Sequence, residues 1–110
     1  MRHDPQKLYE DIRQAIDEIE VFCHQKTIED FRADRALQLV VEHELEIIGE
    51  AMARLQREHA DLADQITDAN KIVGLRNVLA HGYDVLEYEI LWDVVVNKLA
   101  SLKSEIERLL

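Results

Sequence analysis

The run Arg76-Asn77-Val78-Leu79-Ala80-His81-Gly82-Tyr83 gathers a guanidinium, a carboxamide, an imidazole and a phenol in one short stretch of chain. Asn77 and His81 are four residues apart and share a face of a helix. Arg76 and Tyr83 are seven apart and align as well if the helix continues past Gly82. An imidazole near a helix C-terminus gains a proton more easily, because the dipole there favours cations. A guanidinium about a turn away offers a planar fork to a phosphate. Together these groups suit acid–base cleavage of a phosphodiester without a metal. A plainer reading has His81 capping its helix and Arg76 paired with a nearby carboxylate, and spacing alone does not choose between the two.

The remaining polar groups point to less chemistry. His43-Glu44 begins like a zinc-protease helix, but position 47 is Ile, so the second imidazole is missing. His3, His24 and His59 fall near expected termini or turns with no ligand-like spacing, and no metal or cofactor is expected. Cys23 is the only cysteine, which excludes an intrachain disulfide and a cysteine metal cluster; beside Phe22 it reads as core filler. Trp92 reads as a packing anchor rather than a base-stacking platform. Glu44 lies close to an apolar stripe, and an Arg across the bundle is its expected partner.

Charge opposes a nuclease. The formal net charge is −10, and affinity for phosphates rests on Lys and Arg displacing counterions. A ribonuclease with this balance must concentrate its few cations at one place, and Lys71, Arg76, Arg54 and Arg57 are the candidates. An acidic surface also suits a basic protein partner or plain solubility.

The elements that position the motif read as helices almost throughout. Three glycines and one proline in 110 residues are too few for a loop-rich or all-β fold. Asp4-Pro5 is a helix start, and Leu8, Ile12, Ala15/Ile16, Ile19 and Phe22/Cys23 follow as one apolar stripe. A break is expected around His24 to Lys26. The second helix begins between Thr27 and Asp34: Thr27-Ile28-Glu29-Asp30 resembles a capping box, and Asp34 can open a further segment after a bend. Leu37, Val41, Leu45, Ile48, Met52 and Leu55 then form a stripe broad enough for two neighbours, with Gly49 suiting a close backbone approach. His59 to Thr67 is a short connector anchored by Leu62 and Ile66. Thr67 or Asp68 caps a third helix that ends at His81-Gly82. Asp84 with Glu87 opens the last helix, whose stripe runs through Ile90/Leu91, Val94/Val95, Leu99, Leu102, Ile106 and Leu109. The expected fold is all-α: a single domain spanning 1–110, an up-and-down four-helix bundle with an additional short helical segment. No apolar run approaches the roughly 20 residues of a membrane span, and no signal-peptide profile is present, so a soluble, cytoplasmic chain is expected.

Arg76, four residues, His81, one residue, Tyr83 resembles the signature of HEPN domains, and Asn77 fits that family's polar position after the Arg. Glu46-Ile47-Ile48-Gly49-Glu50-Ala51, Gly74-Leu75 and Glu89-Ile90-Leu91-Trp92 are similar to HepT-like segments. The resemblance implies a dimeric helical bundle in which two Arg/His motifs meet at a cleft between subunits, acting as a metal-independent endoribonuclease. It implies pairing, as a toxin, with a minimal nucleotidyltransferase (MNT) antitoxin that uses ATP to place AMP on the motif tyrosine, here Tyr83. Carried over, His81 is the general acid or base, Arg76 binds the phosphate and Asn77 orients neighbours or touches RNA. The alternative is a non-catalytic helical dimer that serves its nucleotidyltransferase as regulatory partner.

Overall fold

The computed structural model describes residues 3–80 and 85–110; for residues 76–78, 80 and 85–87 it describes the helical backbone alone. Among the described residues every regular element is helical. In chain order they are α1 (Pro5–Cys23), α2 (Ile28–Ala33), α3 (Arg35–Glu58), α4 (Ala60–Ala63), α5 (Ala69–Ala80), α6 (Val85–Asp93), a π-helical turn (Val94–Lys98) and α7 (Leu99–Leu109).

Local chemistry sets most of the starts. The carboxylate of Asp4 accepts from the Gln6 N–H at 2.9 Å, with Pro5 in the first turn of α1. Thr27 and Asp30 cap each other's backbone at the head of α2, as expected of a capping box. Asp34 then caps α3 by accepting from the Leu37 N–H at 3.1 Å. Between α2 and α3, the buried Gln38 amide donates to the carbonyls of Phe31 (2.9 Å) and Arg32 (3.1 Å), which satisfies the orphan end of the short helix. Asp68, with φ at 61°, turns the chain into α5, and its carbonyl accepts from Ile72 at 3.0 Å. Left-handed backbone of this kind suits Asp better than most side chains.

α3 is the central support. It runs antiparallel to α1, with His3 against Glu58 at one end of the pair and Glu18 against Glu44 further along. It also runs antiparallel to α5, where Gln56 Nε2 donates to Asn70 Oδ1 at 2.8 Å. α7 lies antiparallel on α1: Gln6 donates to the Leu109 carbonyl, and Lys103 bridges Asp17 and Glu20. The core between them is built from Ile12, Ile16 and Ile19 of α1, Val41, Leu45, Ile48 and Met52 of α3, and Leu102 and Ile106 of α7. Gly49 is buried on α3.

Two expectations for the last helix are corrected. It is not continuous α-helix: the π turn at Val94–Lys98 separates α6 from α7, and Asn97 Nδ2 donates to Asp93 Oδ1 across it at 2.6 Å. A π turn holds an extra residue and rotates the helix on one side of it against the other. Ile90, expected on the buried stripe, is accordingly exposed, while Leu91 and Trp92 are buried. The caps expected from Asp84 and at His81-Gly82 lie outside the described residues.

Candidate functional site

Arg76 and Asn77 lie in the C-terminal half of α5. His81 and Tyr83 lie outside the described residues, so their geometry enters only as chain order: they fall between the last residue of α5 and the first of α6. The site is therefore approached through the two helices that bracket it.

α5 is fixed to α3 from the inside. Leu75 and Leu79, the residues flanking Arg76 to Val78 in the chain, are both buried in the core. Helical geometry makes positions 75 and 79 neighbours on one face, so the apolar face of α5 is spent on α3. α6 is fixed to α2. Phe31 packs edge-on against Tyr88, with centroids 5.9 Å apart, and stacks on Trp92 at 5.2 Å. The Arg32 guanidinium pairs with Glu89 beside these rings. In chain order, residues 81–84 thus come between a helix seated on α3 and a helix seated on α2. Trp92 is a packing anchor, as expected, and the contributions of Phe31, Tyr88 and the Arg32–Glu89 pair were not visible in the sequence. Arg32 and Glu89 are 57 positions apart, and no local pattern joins them.

Of the cations named for the motif, the Arg76 side chain lies outside the described residues, and Arg54 and Lys71 each have a carboxylate partner. The Gln56–Asn70 contact sets the register of α3 on α5, while Arg54 faces the groove that His3, Lys7 and Asp11 line. Arg76 lies further along α5, roughly 9 Å of rise from Asn70 at about 1.5 Å per residue. Arg54 is held by Glu50 at 3.0 Å and meets the His3 ring, and Lys71 faces Asp68 at 3.7 Å.

Between α5 on one side and α6, the π turn and α7 on the other opens a cavity of about 350 Å³. Its floor is Leu45 and Ile48 of α3, with Leu75, Ile90, Leu99 and Leu102 on the walls. Its described charges are Asp68, Lys71, Lys98 and Glu105, so neither sign dominates. A concave apolar space of this size sits at the small end of ligand sites.

Burial shifts Glu44 and Cys23 furthest. Glu44 meets Glu18 of α1 rather than the Arg expected for it, and burial together with that neighbouring carboxyl pushes it up to about 7. Burial also raises the Cys23 thiol to about 11, which fits the expected core role. No group of three or more His, Cys, Asp or Glu side chains with metal-holding geometry occurs among the described residues. None of the described helices is long and apolar enough to cross a membrane.

An all-helical chain with Arg, four residues, His, one residue and Tyr at the junction of two helices falls in the HEPN class. Residues 12–109 match the family "Ribonuclease HepT-like", and the chain belongs to that family. It is 33% identical over 109 residues to the "Probable ribonuclease HepT" of Thermococcus cleftensis, across 99% of this chain and 98% of that one. A "Putative RNase" of Methanocaldococcus jannaschii is 33% identical over 100 residues, covering 91% of this chain and 82% of its own length. A second protein of that organism, also named "Putative RNase", is 31% identical across 91% of this chain and 90% of its own. No solved structure gives a significant match.

Proposed function

We propose that this chain is a metal-independent endoribonuclease, the toxin of a HEPN/MNT pair, and that it works as a cytoplasmic homodimer of single HEPN-type four-helix bundles. What carries the reading is that a chain matching the ribonuclease HepT-like family over residues 12–109 also keeps Arg76, Asn77, His81 and Tyr83 in the order that the chemistry requires. His81 moves the proton as general acid or base, Arg76 binds the scissile phosphate and steadies the charge that develops on it, and Asn77 orients its neighbours or the RNA. Side chains supply both the proton and the cation, so the proposed reaction needs no metal of its own.

The second subunit has a physical part in this scheme. One copy offers a single Arg/His motif against a net charge of −10, and most of the described cations have carboxylate partners. Two motifs facing each other double the local positive charge where the phosphate must sit. The open apolar cavity between α5 and α6–α7, with exposed Ile90 and Val96 beside it, supports a face that a second copy covers.

The order of His81 and Tyr83 in the chain suits neutralisation by modification. A minimal nucleotidyltransferase antitoxin would use ATP to transfer AMP to the Tyr83 hydroxyl, releasing pyrophosphate. The adduct places a phosphate and a bulky nucleoside two residues from His81, where it both blocks the cleft and competes for Arg76.

The acidic balance favours one rival: a non-catalytic dimer that serves the nucleotidyltransferase as regulatory partner. Incubation of the purified chain with RNA in EDTA separates the two. Cleavage that disappears in both His81→Ala and Arg76→Ala is expected. Cleavage that persists in both variants removes the assigned site, and a folded wild-type dimer without cleavage favours the rival.

A further inference from the structure

Among the described residues, Glu44 is the acidic side chain that the core has taken in. It sits on α3 with 6% of its surface exposed, and its Oε2 atom is buried without a hydrogen-bond partner. The group it meets is the carboxyl of Glu18, on the facing helix α1, within hydrogen-bonding reach. Two ionised carboxylates would repel each other in this seam, whereas one protonated and one ionised carboxyl form a short, charge-assisted hydrogen bond.

The surroundings decide which of the two holds the proton. Glu18 is only half buried, and it accepts from the Gln14 amide at 3.2 Å. The hydrogen bond from Glu44, then that from Gln14, and least the nearby His43 hold Glu18 below the usual carboxylate range. Glu44 is pushed the other way, first by burial and then by Glu18. Three described cations on the elements packed against α1 and α3 are engaged elsewhere: Lys103 of α7 with Asp17 and Glu20, Arg32 of α2 with Glu89, and Lys71 of α5 with Asp68. Asp61 of α4 acts on Tyr9.

We propose that Glu18 and Glu44 form a one-proton clasp across the α1–α3 seam, in which the Glu44 O–H donates to the Glu18 carboxylate and loss of that proton loosens the seam. The direction follows from linkage. The folded-state value of Glu44, about 7, stands above its ordinary 4.5, so the folded chain binds more protons than the unfolded one between those values. The contribution is fully present below the ordinary value and is lost as pH rises through the folded value. This clasp rests on the packing of α1 on α3 and is independent of the ribonuclease reading.

The test is a side-chain carboxyl titration of the full chain by carbon NMR, paired with urea unfolding from pH 5 to pH 8. One Glu carboxyl is expected to titrate near 7, to be absent from Glu44→Gln, and to be the only Glu resonance so displaced. The unfolding midpoint of the wild type is expected to fall over this range by more than that of Glu44→Gln, whose carboxamide donates to Glu18 at every pH. All Glu carboxyls titrating in the ordinary range of roughly 4 to 5 would overturn the clasp, even if Glu44→Gln does not fold. So would a Glu44→Gln midpoint that falls with pH as steeply as the wild type.

Discussion

The indole of Trp92 stacks on the ring of Phe31 with centroids 5.2 Å apart and planes 29° from parallel, and Tyr88 meets the same Phe31 edge-on. Phe31 is the one fully buried residue of the six-residue α2, so it is this helix's main apolar anchor. Truncating either partner should be costly. Trp92→Ala and Phe31→Ala are each expected to destabilise by about 3–5 kcal/mol, the range for large aromatic truncations in a core. The two losses should not add: the double variant should be less destabilised than their sum by about 1 kcal/mol, the coupling of an aromatic pair. Urea unfolding followed by circular dichroism measures all four proteins. Strict additivity would mean that the stack contributes only through burial.

The starts of α1, α2 and α3 were legible because capping is local: Asp4-Pro5, Thr27 with Asp30, and Asp34 each act within three residues. The broad stripe on α3 announced two neighbours, and α1 and α5 supply them. The π turn was not legible, since Val94-Val95-Val96 carries the same apolar message in an α or a π helix. Its consequence, the exposure of Ile90 and Val96, was hidden with it. The partner of Glu44 was misjudged because nothing in local spacing reveals which residue of α1 faces it. For the site, the order of Arg76, Asn77, His81 and Tyr83 was readable in the chain, and the helices that bracket it were placed correctly. Arg54 and Lys71 are held by Glu50 and Asp68, four and three residues before them, which local spacing allows; the contact of Arg54 with His3, 51 positions away, is one that only the fold sets.

Cys23 should be a poor nucleophile in the folded chain. Burial moves its thiol from 9.0 to about 11, which lowers the thiolate fraction at neutral pH by roughly a hundredfold, at tenfold per pKa unit. Alkylation by iodoacetamide at pH 7.5 is expected to be at least tenfold slower in the native protein than in urea. Equal rates would show that the packing around Cys23 does not shield it.

Tyr83 separates the toxin from its control. Tyr83→Phe keeps the ring and removes the hydroxyl that would accept AMP. This variant is expected to cleave RNA within a few-fold of wild type, to gain no AMP mass after incubation with the partner nucleotidyltransferase and ATP, and to remain active in its presence. An adduct of unchanged mass on Tyr83→Phe places the modification on another residue. A loss of cleavage of a hundredfold or more, the scale of a missing acid–base group, would instead put the phenol in the reaction itself.

The Thr27–Asp30 capping box bears on the site through α2, because Phe31 comes directly after Asp30 and carries the contact with α6. The Thr27 hydroxyl oxygen accepts from the Asp30 N–H at 3.2 Å, and Asp30 accepts from the Thr27 N–H at 2.9 Å. Thr27→Ala removes one half of the exchange and should destabilise by about 1 kcal/mol, while Thr27→Ser should be close to neutral. The hydrogen bonds from Thr27, backbone first, hold Asp30 below its ordinary 3.8. Its contribution is therefore present above that value and is lost as pH falls through the lower folded one. Acid should thus weaken the wild type and Thr27→Ser alike between pH 4 and pH 2, and the gap to Thr27→Ala should narrow there. If the gap stays constant, the Thr27 hydroxyl does not help to hold Asp30 ionised, and its part in the cap is only to accept from the Asp30 N–H.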